Sequence, residues 1–165
     1  LHVSLEAGDN PSLIIDEIKR LKQYCLNSTT KSRHHFLRWT EPEHISQMEV
    51  AGITEDFSLG YADSIGFRVG TCKPYYFINP TTKQISNIII HPMQIMECSL
   101  DRPNYMGLEY EDALKYCKKV IEYTYRLNGE LVLLFHNPIW SEDNYYGKLY
   151  DTLLEYVSKI ENKES

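Results

Sequence analysis

Histidine and arginine side chains cluster at two places where the sequence pattern predicts the end of a β-strand. His136 follows the apolar run 131–135, and an imidazole at such a position can act as a general acid or base. Arg33, His34 and His35 stand where an earlier strand should exit, and an arginine there can orient a carboxylate or bind an oxyanion. The alternatives are a histidine that only hydrogen-bonds a loop and a basic cluster exposed on the surface.

A long loop region adds further charged groups. Asp56 precedes it, and Asp63 and Arg68 lie within it. Long ordered loops in compact domains are often functional. The alternative for Asp63 and Arg68 is a structural ion pair that holds the loop.

The elements that must position these groups alternate between helix and strand. Capping signals and apolar periodicity predict helices over residues 11–25, 41–51, 109–127 and 142–160. The signals at the helix ends are Asn10 before Pro11, a capping box over 40–43, Gly52, Asn128-Gly129, and Ser141 before the last helix. A strand and its exit loop are predicted over 31–38, and short strands over 53–57, 87–91, 94–98 and 131–135, with residues 58–84 mostly loop.

This alternation predicts an α/β protein with a mainly parallel sheet, since parallel strands need helical crossovers. The pattern leaves a barrel and an open sheet as alternatives. In either, functional groups gather at the carboxyl ends of the strands. Strand periodicity would send His34 and Phe36 to one side and Arg33 and His35 to the other.

Composition excludes several classes of protein. The 165 residues, 42% of them hydrophobic, predict one domain with a real core. A net charge of −6 without a basic stripe argues against a nucleic-acid partner, and no apolar run reaches the roughly 20 residues of a membrane span. The four cysteines have no CxxC spacing; Cys25 and Cys117 are expected to be core residues, and reduced thiols favour the cytoplasm, with the cell envelope as the alternative.

Three segments together resemble a known family. They are Arg33 to Trp39, Gly52 to Asp63 and Gly66 to Tyr75, and the run Leu133 to His136 is similar to that family's last motif. The chain resembles polysaccharide deacetylase-like proteins of the NodB-homology carbohydrate esterase superfamily. The resemblance implies a distorted, TIM-like (β/α) barrel, of which residues 1–165 form the C-terminal part of a single domain with its N-terminal strand or strands missing.

The resemblance also implies roles for individual residues. Such proteins use a divalent metal, often zinc, to polarise the acetyl carbonyl and activate water. His2 would lie where the metal-binding motif begins, with Glu6 and His35 as weaker candidate ligands. His136 would be the catalytic acid, and Arg33 would orient the catalytic aspartate. The substrate would be an acetylated carbohydrate, contacted by Arg68, Asp63 and Trp39. His2, Arg33 and His136 should then converge on one mouth of the barrel.

The sequence departs from the family at the metal site. The paired aspartates of the first motif should precede residue 1, and Ser4 or Glu6 stands near the place of the second metal histidine; His35 stands where proline is usual. We therefore expect that these 165 residues alone neither bind a metal tightly nor deacetylate sugars, whereas a full-length protein can.

The leading hypothesis is a metal-dependent deacetylase-type hydrolase of acetylated sugars or polysaccharides. The alternative is a catalytically silent carbohydrate-binding or structural relative in surface polysaccharide biosynthesis. A third interpretation is an oligomerisation or scaffold module. The oligomeric state, the sugar and the position of the acetyl group stay open.

Overall fold

The computed structural model describes residues 1–8, 10–25, 29–137 and 144–162. Its helices are α1 Pro11–Lys22, α2 Glu43–Val50, α3 Cys98–Asp101, α4 Tyr110–Arg126 and α5 Tyr145–Glu161. Its strands are β1 His2–Val3, β2 Lys31–His34, β3 Glu55–Asp56, β4 Tyr75–Ile78, β5 Ile85–Ile90, β6 Ile95–Met96 and β7 Leu133–Leu134. The chain divides into two compact units, the first formed by Leu1–Leu59 with Lys73–Pro92 and the second by Gly60–Cys72 with Met93–Ser165.

The first unit is built on a five-stranded sheet in the order β1-β2-β3-β5-β4. Strands β1, β2, β3 and β5 are parallel, and β4 pairs antiparallel with β5 at the edge. Helix α1 connects β1 to β2 and α2 connects β2 to β3, as parallel connections require. Their apolar faces supply Ile14, Ile18, Ile45 and Met48 to a core that also contains Val3, Ile53, Ile88 and Ile90.

The second unit pairs β6 and β7 in parallel and packs its long helices around them. Helix α4 buries Ala113, Cys117 and Ile121, and α5 buries Leu149 and Leu153. These side chains join Ile95 and Leu100 in one apolar cluster. The prediction of an α/β protein with a mainly parallel sheet is therefore confirmed.

Most predicted helix ends lie within three residues of the observed ones, because the capping chemistry is local. Asn10 caps α1 as predicted, its side-chain oxygen accepting from the Ser12 amide at 3.0 Å. Gly52 follows α2 with φ +81°, and Asn128 follows α4 with φ +50°. Both adopt the left-handed conformation that ends a helix.

Three local predictions are wrong. The predicted capping box over 40–43 does not cap α2, whose N-cap is Pro42 without a side-chain hydrogen bond. Helix α1 ends at Lys22, so Cys25 lies beyond it and is exposed rather than buried. Helix α5 begins at Tyr145 with Asn144 as N-cap, and the predicted cap Ser141 lies outside the described residues.

Several short elements were not predicted, among them β1. Strand β4 falls in the segment 58–84 that was expected to be mostly loop, and α3 falls at the end of the predicted strand 94–98. Within the described ranges, no helix combines the length and apolarity needed to cross a membrane.

Candidate functional site

The carboxyl ends of β1 and β2 bring two predicted site residues into contact. The parallel register pairs His2 with Arg33 and Val3 with His34. This places the rings of His2 and His35 at the same edge of the sheet, with His2 Nε2 3.0 Å from His35 Nδ1. The two nitrogens are near the spacing of about 3.3 Å that two imidazole ligands have on one tetrahedral zinc.

A third ligand of this kind is not found beside them. Among the described residues, the groups of three ligand-type atoms lying close together include neither His2 nor His35. Glu6, the other candidate, is exposed in the loop before α1. A catalytic zinc needs about three protein ligands, and at this end of β1 and β2 the described residues supply two, His2 and His35.

Arg33 lies beside a buried carboxylate at the end of β3. Its Nε donates to the Phe57 carbonyl at 3.2 Å. Burial lowers the pKa of the Arg33 guanidinium, and the charge of Asp56 opposes that shift. Arg33 is therefore positioned to balance the charge of the buried Asp56. Its predicted role, orienting a catalytic aspartate, stays a prediction.

Asp56 itself is held by two serines. Its Oδ2 accepts from the hydroxyls of Ser32 at 2.8 Å and Ser58 at 2.9 Å, and its Oδ1 accepts from the Ser58 amide at 2.9 Å. Burial raises the pKa of the Asp56 carboxyl, while these hydrogen bonds and the charge of Arg33 act in the opposite direction. Each carboxylate oxygen is thus already occupied.

The chain leaves β2 through one turn of 3-10 helix, His35–Leu37, with an unusual backbone. Phe36 and Leu37 have φ of +56° and +51°, a conformation that costs free energy in residues other than glycine and is concentrated at functional sites. His34 is 1% exposed and Phe36 is 77% exposed. The predicted sharing of one side by His34 and Phe36 is therefore wrong, because strand alternation stops at His34.

Trp39 packs at the rim of the first core. Its ring lies 4.8 Å from that of His44 and 6.3 Å from that of Phe77, and its Nε1 donates to Glu41 at 2.7 Å. One side of the indole is thus used for packing. Its predicted contact with a sugar stays a prediction.

Behind Trp39, the imidazole of His44 is buried in the first unit. His44 is 1% exposed, its ring centroid is 4.2 Å from that of His34, and neither of its nitrogens has a hydrogen-bond partner among the described residues. Burial lowers the pKa of His44 to about 3, helped by the nearby His34 and Arg38. His44 is therefore a neutral core residue at physiological pH.

In the second unit, the carboxyl ends of β6 and β7 bring His136 to a buried glutamate. The register pairs Met96 with Leu134, so the next residues meet at one edge. His136 Nδ1 lies 2.6 Å from Glu97 Oε1, which also accepts from the His136 amide at 3.1 Å. The Glu97 side chain is fully buried and that of His136 is 42% exposed. The pair thus combines a fixed carboxylate with an accessible imidazole.

Cys98 completes this cluster. Its thiol donates to Glu97 Oε1 at 3.1 Å, and its sulfur is 4.0 Å from His136 Nδ1. Burial, followed by the hydrogen bond to Glu97 and its charge, raises the pKa of Cys98 to about 11. The thiol therefore keeps its proton at neutral pH and is not a nucleophile in this state.

Arg68 and Asp63 do not form the structural ion pair that was the alternative to substrate binding. Arg68 Nη1 donates to the Gly60 carbonyl at 2.8 Å, and both side chains are exposed. Among the described residues, no ion pair joins them. Their predicted role in binding substrate is not tested by this geometry.

The predicted site residues fall in two different units. His2, Arg33, His35 and Trp39 belong to the first unit, whereas His136, Asp63 and Arg68 belong to the second. The convergence of His2, Arg33 and His136 on one barrel mouth therefore stays a prediction.

Glu97 is a candidate site residue that the sequence interpretation missed. It directly follows β6, so the rule that polar residues after apolar strands are candidates applies to it as it does to His136. The strand predicted over 94–98 extends two residues past the end of β6, so it includes Glu97. For Asp56, the sequence indicates only an acidic group before the long loop.

Among the described residues, two groups of ligand-type side chains, all buried except the half-exposed His136, could hold a metal ion. They are His34, His44 and Asp56 in the first unit, and Glu97, Cys98 and His136 in the second, each with its ligand atoms within 4.8 Å of one another. The chain is thus an α/β protein whose strand ends gather histidines and carboxylates. No protein-family model matches it, and no curated protein shows significant similarity to it.

Proposed function

We propose that this chain belongs to a metal-dependent hydrolase that removes acetyl groups from sugars or polysaccharides, with His136 as the general acid. The observation that carries the proposal is the His136–Glu97 pair at the ends of β6 and β7, with 2.6 Å between Nδ1 and Oε1. The order of motifs from Arg33 to His136 supports the choice of a NodB-homology deacetylase over other hydrolases. The mixed α/β fold with parallel strands is compatible with the distorted barrel that this proposal includes.

His136 suits the role of acid because Glu97 fixes one of its nitrogens. The Nδ1–H donates to Glu97 Oε1, which leaves Nε2 as the nitrogen that exchanges a proton with a leaving group. Glu97 is rigid, since it is fully buried and accepts from the His136 amide and the Cys98 thiol as well. A fixed ring lowers the entropic cost of placing the proton on the sugar amine or hydroxyl.

His2 and His35 would supply two ligands to the metal in this proposal. Their nitrogens lie 3.0 Å apart at the end of β1 and β2, and imidazole suits zinc. A divalent metal, when bound, polarises the acetyl carbonyl and makes a water nucleophilic. Arg33 contributes positive charge beside the buried carboxylate of Asp56, and the remaining ligand is assigned to residues other than those described.

The test measures acetate release from acetylated glucosamine oligomers by the full-length gene product supplied with Zn²⁺, Co²⁺, Mn²⁺ or Ni²⁺. We expect activity that His136→Ala lowers by about 10²–10⁴-fold, the usual contribution of an acid or base. Asn137→Ala is the matched control, because Asn137 is the exposed neighbour of His136 and should keep near-normal activity. A folded His136→Ala protein with full activity would show that His136 is not the catalytic acid. A protein that is inert with all four metals would refute the proposed hydrolase activity.

Carbohydrate binding without turnover is the second candidate, and the exposed ring of Phe36 favours it. Phe36 is 77% exposed and lies edge-on to His35 at 4.5 Å. A solvent-exposed aromatic ring presents a flat apolar face on which a sugar ring can stack. The test measures binding of glucosamine oligomers by Phe36→Ala, with Tyr76→Ala as the matched control because Tyr76 is also exposed, at 56%. An inert protein that binds these oligomers, and whose binding is weakened by Phe36→Ala but not by Tyr76→Ala, is a carbohydrate-binding protein and not a hydrolase.

A further inference from the structure

In the described part of the second unit, two buried carboxylate oxygens lack a hydrogen-bond partner. Glu97 Oε2 and Asp101 Oδ1 have none among the described residues, although the Glu97 side chain is fully buried. Buried polar atoms are nearly always paired, and an orphan points to a bound water or ion. Glu97 Oε2 belongs to the carboxylate that already contacts Cys98 and His136.

We infer that Glu97, Cys98 and His136 form a binding site for one Zn²⁺ ion within the second unit. Cys98 Sγ is 3.1 Å from Glu97 Oε1 and 4.0 Å from His136 Nδ1. A sulfur and a nitrogen or oxygen ligand on one tetrahedral zinc are about 3.5 Å apart, given bonds of about 2.3 and 2.0 Å. The existing distances bracket that value, so small side-chain movements suffice.

The chemistry of the donors selects zinc. Thiolate, imidazole and carboxylate are the three side-chain ligands that zinc takes in proteins. A Cys98 thiolate and the Glu97 carboxylate together neutralise the two charges of the ion, which reduces the cost of burying it. Asp101, one helical turn from Glu97, adds negative charge nearby, and the exposed Arg102 is the opposing cation.

The first unit's group of buried ligand-type side chains is less suited to a cation. His34, His44 and Asp56 offer one negative charge, and Asp56 already accepts three hydrogen bonds from Ser32 and Ser58. The charges of Arg33 and Arg38 act on this group as well. The same ion would therefore be held more weakly there.

Zinc binding at the second-unit site must release a proton. Burial raises the pKa of Cys98 to about 11, so the thiol is protonated at neutral pH and zinc replaces that proton. Among the described residues, the ionisable groups around the site include Glu97 just before α3, Asp101 at its end, Arg102 after it, His136 beyond β7, and Tyr145 and Tyr146 on α5. Tyr146 donates to Asp101 at 2.6 Å. Because the metal displaces a proton, binding should weaken as the pH falls.

Zinc and acid catalysis by His136 would exclude each other. A general acid needs the imidazolium form, with protons on both nitrogens, and a metal on Nδ1 prevents that form. Only this inhibitory consequence rests on the proposed function, because the metal site is argued from contacts in the second unit alone.

The experiment titrates the metal-free chain with Co²⁺, which substitutes for zinc and gives a thiolate-to-cobalt charge-transfer band when a cysteine is a ligand. All proteins carry Cys25→Ser, since Cys25 is exposed. We expect one Co²⁺ per chain with that band, displaced by Zn²⁺. Cys98→Ala should abolish the band and weaken Zn²⁺ binding at least about 100-fold, since loss of an outer-shell partner alone costs about 10–100-fold. Cys72→Ala is the matched control because Cys72 is another buried cysteine of the same unit, and it should keep the band.

Glu97→Gln provides a second, milder variant that keeps the shape of the side chain. It should retain the fold and lower Zn²⁺ affinity at least about tenfold. Cobalt binding without a thiolate band, as a His2–His35 site would give, overturns the inference and leaves the proposed function standing. A band that survives Cys98→Ala, or no binding at all, overturns it equally.

Discussion

Acid should destabilise the first unit through one residue, His44. The unfolded chain takes up a proton on His44 near the ordinary pKa of 6.5, whereas the folded chain does so only at about 3. Between these values the unfolded state binds more protons, so stability falls as pH falls. The contribution of neutral His44 is complete above pH 6.5 and is lost progressively toward pH 3.

The size of the effect follows from the separation of the two pKa values. A pH of 5 is about 1.5 pH units below the ordinary pKa of 6.5. Each pH unit below that pKa stabilises the unfolded state, with His44 protonated, by about 1.36 kcal/mol. The loss at pH 5 is therefore about 2 kcal/mol. His44 is 1% exposed, so solvent screening takes little from this value. Asp56, whose pKa is raised by burial, acts in the opposite direction and must be separated from His44.

A comparison with His44→Leu makes that separation, because both proteins contain Asp56. Leucine has a similar volume, does not titrate and removes two ring nitrogens that have no partner among the described residues, so its stability at pH 7 should be within about 1 kcal/mol of the wild type. Between pH 7 and pH 5 the wild type should lose about 2 kcal/mol more than the variant.

The assay is urea denaturation followed by Trp39 fluorescence. Trp39 contacts His44 in the first unit, and Trp140→Phe in both proteins removes the other tryptophan. The same loss on acidification in wild type and variant would refute the argument. So would a cost above about 3 kcal/mol for His44→Leu at pH 7, which would mean that the His44 nitrogens make strong hydrogen bonds.

Three further predictions concern single contacts. Glu97→Gln removes the charge that fixes His136; we expect kcat for acetate release to fall about 10–100-fold with KM nearly unchanged, and an unchanged kcat would separate Glu97 from His136 function. Gly129→Ala places a Cβ 2.3 Å from Cys72 Sγ. It should lower the free energy of unfolding of the second unit, measured in urea, by about 1–3 kcal/mol; an unchanged value would mean that the segment around Cys72 moves aside without cost. Asn10→Ala removes the acceptor for the Ser12 amide and should cost about 1 kcal/mol, against no change for the exposed Gln84→Ala in the same titration.

Local chemistry explains which parts of the fold could be predicted. Asn10, Gly52 and Asn128 act on their own neighbours in the chain, so the ends of α1, α2 and α4 were close to those predicted. Strand β4 was missed because its four residues lie among Pro and Gly and are stabilised by pairing with β5, which begins seven residues later. Propensity cannot report such a tertiary contact.

The same distinction applies to the candidate sites. His2, Arg33 and His136 could be chosen from the sequence because each lies at or next to a strand end. The contact between His136 and Glu97 could not, since it joins residues 39 positions apart. The exposed position of Phe36 depends on the left-handed backbone conformation of Phe36 and Leu37. The sequence does not predict that conformation, since neither residue is a glycine.

Parallel pairing gives one physical reason for both pairs of site residues. In the first unit, the register of His2 with Arg33 sets His2 and His35 at one sheet edge. In the second, the register of Met96 with Leu134 lets the Glu97 amide donate to the Leu134 carbonyl at 3.2 Å and so carries the Glu97 side chain to His136. A shift of one residue in either register would reverse which face each side chain occupies. The register of the paired strands therefore determines which side chains meet at the strand ends.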